Sequence, residues 1–256
     1  MVRVFRMKEK GLACERGKAL PKTYLWIEDR EGKASYVFWK TMMRELFPEV
    51  TVEGKKNNSE LVKAVSQIKE SDDIYFILFD NSFDNVQAYR EQKRLRHYTE
   101  NKGNIFLVEM ICFEFVLLEF NRLIDWIYAP GDEFLISRAG LIQARSCLIE
   151  ALNSGNEEYK KIREMIEYDP NIKNHNIEQI AADLLFALTR NTGFETSKGK
   201  IGNCWVTSCC EWTEREENDI CGLDEGRMSC LEKMRYIWKE TSLSEKFSKC
   251  GLEVSG

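Results

Sequence analysis

Residues Asp73 to Asp80 read DIYFILFD, a run of six apolar or aromatic residues closed at each end by an acid. A run that short and that continuous has no polar face to offer water. It predicts a strand buried on both sides, the kind found inside a parallel sheet with helices on each face. The neighbouring signals alternate accordingly. Thr23 to Glu28 (TYLWIE) is an aromatic and β-branched run, followed by helical periodicity at Val37, Phe38, Met42 and Leu46 before Pro48. Glu49 to Glu53 (EVTVE) predicts a second strand and Gly54 to Asn58 a loop. Ser59 is the expected cap of a helix striped by Leu61, Val62, Val65 and Ile68. A charged helix is expected over 85–101, and Asn104 to Val108 (NIFLV) is the fourth strand. This order predicts an α/β fold with an open, mainly parallel sheet flanked by helices. Right-handed crossovers then gather the carboxyl ends of the strands on one edge, where such sheets carry their sites.

From Cys112 onward the period changes to helical, with Phe113, Val116, Leu117, Phe120, Ile124 and Ile127 as one amphipathic stripe. Further helices are expected near 132–153, 156–168, 176–190 and 226–240. The division is therefore an α/β core over 1–110, with a basic N-terminal arm, and a helical subdomain over 111–256 packed on it. A cysteine-rich lobe occupies 203–230. The 256 residues are 43% hydrophobic with a formal net charge of -5, enough for a sizeable core and unlike a polybasic coat protein. No apolar run approaches the ~20 residues that span a bilayer. The absence of a secretory h-region and the odd count of nine cysteines predict reduced thiols, a cytoplasmic location and no membrane partner.

Two strands end in acids: Glu28, followed by Asp29, and Asp80, in the string Phe79-Asp80-Asn81-Ser82-Phe83-Asp84. If those strands are adjacent and parallel, Glu28 and Asp80 converge. Clustered carboxylates repel one another unless a hard cation such as Mg²⁺ or Mn²⁺ neutralises them, and such an ion suits phosphodiester chemistry. The arrangement resembles the Toprim domain of topoisomerases, primases and overcoming-lysogenisation nucleases, with a glutamate after the first strand and D-x-D after the third. Glu28 and Asp80 match those positions, and IFLVEMICFEFVLLEF is similar to the stretch that leads a fourth strand into an acid, here Glu114. The resemblance covers roughly 23–125 and extends to the stand-alone Toprim effector of the PARIS anti-phage system. It implies a metal-dependent nuclease in anti-phage defence, with Glu28 and Asp80 catalytic. Glu28, Asp80, Asp84 and Glu114 would hold the metal. RNA, tRNA included, is favoured over DNA, an ATPase partner restrains the activity, and self-association is open. Three departures stand out: Ser82 replaces the second D-x-D acid, leaving Asp84 to substitute, Asp29 replaces a glycine, and a further acid of the pattern is not obvious in Arg30-Glu31-Gly32-Lys33.

Other readings of the same residues exist. An acid after a strand often caps a helix, as Asp80 would for one beginning near Asp84, and Glu114 fits the solvent side of the amphipathic stripe. A catalytically degenerate Toprim-like module that binds an ATPase is the alternative that Ser82 favours. Lys55, Lys56, Arg90, Lys93, Arg94 and His97 are the candidate nucleic-acid contacts, with Tyr89 and Tyr98 for stacking; the plain alternative is a solvated charged face. Arg90 and His97 also approximate the R-x4-6-H motif of metal-independent HEPN ribonucleases. Cys204, Cys209, Cys210, Cys221 and Cys230 are numerous enough for a structural Zn²⁺, but their spacing lacks a C-x-x-C knuckle and neither His97 nor His175 is close in sequence. Buried free thiols, in a lobe whose Trp212 and acidic run would meet a partner, are the competing expectation. No Walker A, G-x-G-x-x-G, G-x-S-x-G or H-E-x-x-H motif is present.

Overall fold

All four expected strands form, and they form one parallel sheet. The computed structural model describes residues 20–81, 85–100, 102–154, 177–210, 221–223 and 228–254. Strands β1 (Thr23–Ile27), β2 (Val50–Gly54), β3 (Ile74–Asp80) and β4 (Ile105–Met110) lie in the order β2-β1-β3-β4. Every pairing is parallel, with Thr23 opposite both Val50 and Ile74, and Tyr75 opposite Ile105. Helices α1 (Ala34–Leu46), α2 (Asn58–Ser66) and α3 (Val86–Thr99) make the crossovers.

The strand order explains which face each helix covers. From β1 the chain steps outward through α1 to β2; from β2 it returns past β1, through α2, to β3. Crossovers of one hand that run in opposite directions must use opposite faces. Accordingly Phe38, Trp39, Met42 and Met43 of α1 share a cluster with Leu25, Phe76, Leu78 and Val108. Leu61, Val62 and Val65 of α2 and Leu95 of α3 pack instead with Ile77, Phe79 and Ile105. The alternating residues of β3 are thus buried on both sides, each side chain contributing roughly 1.5–3 kcal/mol.

The second half adds α4 (Phe113–Glu119), α5 (Leu123–Ile127), α6 (Glu133–Ser137), α7 (Ala139–Ser154) and α8 (Ile177–Thr189). A short antiparallel hairpin follows, β5 (Thr196–Ser197) and β6 (Lys200–Ile201), then α9 (Asn203–Val206), α10 (Cys230–Lys239) and α11 (Leu243–Ser248). The α1 face of the sheet continues without a break into these helices, through Phe113, Leu184, Trp205, Ile237 and Phe247. One core serves both halves. Buried Arg138 ties down the end of α8 by donating to the carbonyls of Leu188 and Arg190 and to the Tyr128 hydroxyl. No helix of the described residues is long and apolar enough to cross a membrane.

Several local expectations are corrected. The stripe from Phe113 to Ile127 is two helices, separated at Phe120, and six successive residues of α4, Phe113 to Leu118, are buried. That helix has no solvent face, so Glu114 is an interior residue. Asn57, not Ser59, caps α2, and Asn85, not Asp80, caps α3. The hairpin was not expected from so short a segment. The expected helix over 156–168, most of the basic N-terminal arm, Trp212 and the acidic run of the lobe lie outside the described residues.

Candidate functional site

The order β2-β1-β3-β4 puts the reversal of crossover direction between β1 and β3, and open α/β sheets bind ligands at that switch point, beyond the carboxyl ends of the strands. Glu28 follows the last residue of β1 and Asp80 is the last residue of β3, so the fold itself places these two acids side by side. Their carboxyl groups are within hydrogen-bonding reach. Glu114, in the first turn of α4 just past β4, comes in beside them, and the helical half supplies a fourth acid, Glu178, from the first turn of α8. Together with Asp29, Lys33, Ser35 and Lys198 they line a cavity of about 190 Å³.

The turn that carries Glu28 is held by two contacts. Ser35, in the first turn of α1, donates its hydroxyl to Asp29. The carbonyl of Asp29 passes so near Gly54 that a β-carbon there would lie 2.1 Å from it, so the end of β2 admits only glycine. Asp29 is therefore an anchor for α1 as well as a wall of the cavity.

The electrostatics are those of crowded acids. Burial, then Asp29 and Glu178, push Glu28 from its ordinary 4.5 up to about 8. Burial followed by the charge of Glu28 raises Asp80 well above the carboxylate range. Glu114 is pushed up to about 7 by burial and Glu178. Cys112, fully buried behind them, is raised by burial and by Glu114. Among the described residues Lys198, at the tip of the hairpin, pairs with Glu178 at 3.0 Å, and Lys33 also borders the cavity. Burial would lower the pKa of Lys198, yet Glu178 and Glu114 raise it on balance. Glu28 and Asp80 are only partly buried as residues, because their remaining surface faces the cavity.

Hard oxygen donors with raised proton affinity fit a hard divalent cation, which lowers the repulsion that otherwise keeps protons on them. Among the described residues no three His, Cys, Asp or Glu side chains stand together closely enough to hold an ion as a set. The Glu28–Asp80 pair is the set of oxygen donors that would hold such an ion. Ser82 and Asp84 lie outside the described residues.

The expected nucleic-acid residues separate. Lys56 reaches the carboxyl edge, where it borders a second cavity beside Glu28 and Asp29. Lys55 turns onto the sheet instead, its ammonium 3.7 Å from the centre of the Trp26 ring and 2.6 Å from Glu53. Arg90, Lys93, Arg94 and His97 are all exposed along α3, with Lys93 over the ring of Tyr89, while Tyr98 packs into the core. His97 sits in the last turn of α3, away from the helix start that faces the acids. In the cysteine lobe Cys204 approaches Cys221, Cys209 and Cys210, and burial with these neighbours pushes it up to about 11. Cys230 lies apart, its thiol 3.3 Å from the Val206 carbonyl.

Sequence reasoning missed Glu178, Lys198 and the wall residues Lys33 and Ser35. The helix carrying Glu178 was legible, but nothing in its spacing says that its first turn closes over the end of the sheet. Comparison of the chain with models of protein families, with curated proteins and with solved structures returns no match. What fold and site define is an α/β protein with a carboxylate-lined cavity at the switch point of a parallel sheet.

Proposed function

We propose that this protein is a metal-dependent, Toprim-like phosphodiesterase that cuts nucleic acid, RNA in preference to DNA, as an effector of anti-phage defence. The observation that carries the chemistry is the convergence of Glu28 and Asp80 at the switch point, backed by Glu114 and Glu178 in one small polar cavity. Mg²⁺ or Mn²⁺ held by Glu28 and Asp80 would polarise a phosphoryl oxygen and acidify a bound water. The chain's own residues do the rest. Glu114 and Glu178 add negative charge that keeps the cavity attractive to a cation. Lys198 and Lys33 border the cavity and would hold the non-bridging oxygens of the phosphate. The exposed cations of α3 would follow the nucleic-acid backbone. The defence role, the preference for RNA and the regulatory ATPase come from the Toprim resemblance alone.

Purified protein is incubated with mixed tRNA, single-stranded DNA and plasmid in Mg²⁺, Mn²⁺ or EDTA. Cleavage is expected with metal, to vanish in EDTA, and to fall by about a thousandfold or more in Glu28→Ala and Asp80→Ala. EDTA-resistant cleavage lost only in His97→Ala would replace this reading with the HEPN-like one, against which the parallel sheet already speaks. The second reading, a degenerate Toprim-like module that binds an ATPase, is favoured by Ser82 and by the lack of a three-donor set among the described residues. It predicts no cleavage in the presence of that partner and binding that survives Glu28→Ala.

A further inference from the structure

The base of the β5–β6 hairpin is buried and tied down. Trp205, fully buried in α9, donates its indole N–H to the Phe194 carbonyl at 2.8 Å and to Thr196 Oγ1 at 3.0 Å. The Thr196 N–H donates in turn to Thr189 Oγ1, in the last turn of α8, at 3.0 Å. A β-carbon on Gly202 would lie 2.2 Å from the Gly193 carbonyl, so the base closes only around glycine. Ser197 pairs with Lys200, which leaves Lys198 and Gly199 as the whole of the tip. A two-residue tip on an anchored base fixes the backbone of Lys198 beside the carboxylate cavity. Its long side chain keeps the freedom to move.

That side chain is turned toward the acids. Its ammonium is 3.0 Å from Glu178, and it borders the cavity of about 190 Å³ together with Glu28, Asp80 and Glu114. The ion pair adds little to the fold, because Trp205 and Thr196 already anchor the hairpin and the Lys198 side chain is 53% exposed. Lys33, which borders the same cavity, makes no ion pair among the described residues. The acids thus have a counter-cation already seated, delivered by the chain itself. In so small a space this ammonium and a divalent cation repel each other.

We infer that Lys198 is a built-in counter-cation of the site: it neutralises Glu178 while no divalent cation is bound, leaves Glu178 when one enters, and only then has its ammonium free for a phosphate. This rests on the proposed cation site and deepens it by naming its regulation. The order of binding it imposes is metal before nucleic acid.

The test reads binding, not turnover. Mn²⁺ is titrated by calorimetry into the full chain and into Lys198→Met, Lys198→Arg and Lys33→Met, each checked for an unchanged circular dichroism spectrum. Lys198→Met is expected to bind Mn²⁺ about fivefold more tightly, while Lys198→Arg and Lys33→Met stay within about twofold of wild type. A phosphorothioate RNA oligonucleotide, which resists cleavage, is then titrated in Mg²⁺ and in EDTA. Lys198→Met is expected to weaken its binding about threefold in Mg²⁺ and to leave it unchanged in EDTA. Equal Mn²⁺ affinity in wild type and Lys198→Met, an equal gain in Lys33→Met, or the same loss of oligonucleotide in both media would overturn the inference and leave the cation site standing. No Mn²⁺ binding by any form would overturn the cation site and the inference with it.

Discussion

The carboxylate cavity and the cysteine lobe are opposite ways of assembling potential metal donors. Glu28, Asp80, Glu114 and Glu178 are far apart in sequence and are brought together by strand order. Cys204, Cys209, Cys210, Cys221 and Cys230 are close in sequence; Cys204 lies near Cys209, Cys210 and Cys221, while Cys230 lies apart. Cys221 accepts from the Leu223 N–H at 3.4 Å, and Cys230 lies against the Val206 carbonyl and beside Arg44. Cys204, pushed up to about 11, is a neutral thiol at physiological pH. The ammonium that enters this lobe, Lys233, is fully buried and donates to the Cys204 carbonyl at 2.9 Å rather than balancing thiolates. Lys198, paired with Glu178, and Lys33 border the acids' cavity, yet burial and mutual repulsion still raise Glu28, Asp80 and Glu114. The acids keep their mutual repulsion, whereas the described polar groups of the lobe find partners nearby.

The largest expected effect separates the two by stability. Glu28 at about 8 and Glu114 at about 7, against an ordinary 4.5, mean that the folded chain holds more protons than the unfolded one between those limits. The stability these groups give is therefore fully present below pH 4.5 and is lost as pH rises to about 8. In EDTA the Tm should fall by about 10 °C or more from pH 5 to pH 8, given about 1.4 kcal/mol per unit of pKa shift and about 2–4 °C per kcal/mol for a chain of this size. Millimolar Mg²⁺ should restore it at pH 8, and Asp80→Asn should raise the pH 8 value and flatten the profile. A Tm that rises or stays level over this range in EDTA would mean that the acids are not in conflict.

An intermediate effect is expected on α3. Arg90→Glu with Arg94→Glu should weaken oligonucleotide binding about 5- to 10-fold at low salt and reduce the slope of log affinity against log salt by about two. Because both residues are exposed, the Tm should move by less than about 1 °C. Unchanged affinity and slope would make α3 a solvated face and nothing more.

The smallest effect is expected in the lobe. Cys209→Ala and Cys210→Ala should leave the Tm within about 2 °C of wild type, and chelation of zinc should leave it unmoved. An aromatic disulfide reagent should label exposed Cys210 quickly and buried Cys112 only on unfolding. A large fall in Tm on chelation would place a metal in the lobe and end the contrast.

Much of the sheet was legible because buried parallel strands are short, continuous and apolar, and DIYFILFD could be little else. The pairing of Glu28 with Asp80 was legible for the same reason: once two strands are adjacent and parallel, their terminal residues must meet. Glu114 was readable as an acid after β4 but not as a buried one, since burial on all sides of α4 depends on helices that follow much later in the chain. Glu178 and Lys198 were invisible as site residues because long-range packing, with no local period, brings α8 and the hairpin over the edge. The caps went astray for a smaller reason. Asn57 and Ser59 are both good cap residues two positions apart, and the hydroxyl of Ser59 is taken by Glu91 from α3.

The central claim is that the acids at the switch point form a cation site, and Mn²⁺ titration by calorimetry at pH 7.5 in two buffers of different ionisation enthalpy tests it most directly. The account predicts saturable binding with release of protons, because the cation displaces them from carboxyl groups whose pKa values are raised. It predicts loss of that binding in Asp80→Asn and retention in Cys204→Ala. Binding that survives Asp80→Asn, or that disappears with Cys204→Ala, would contradict it.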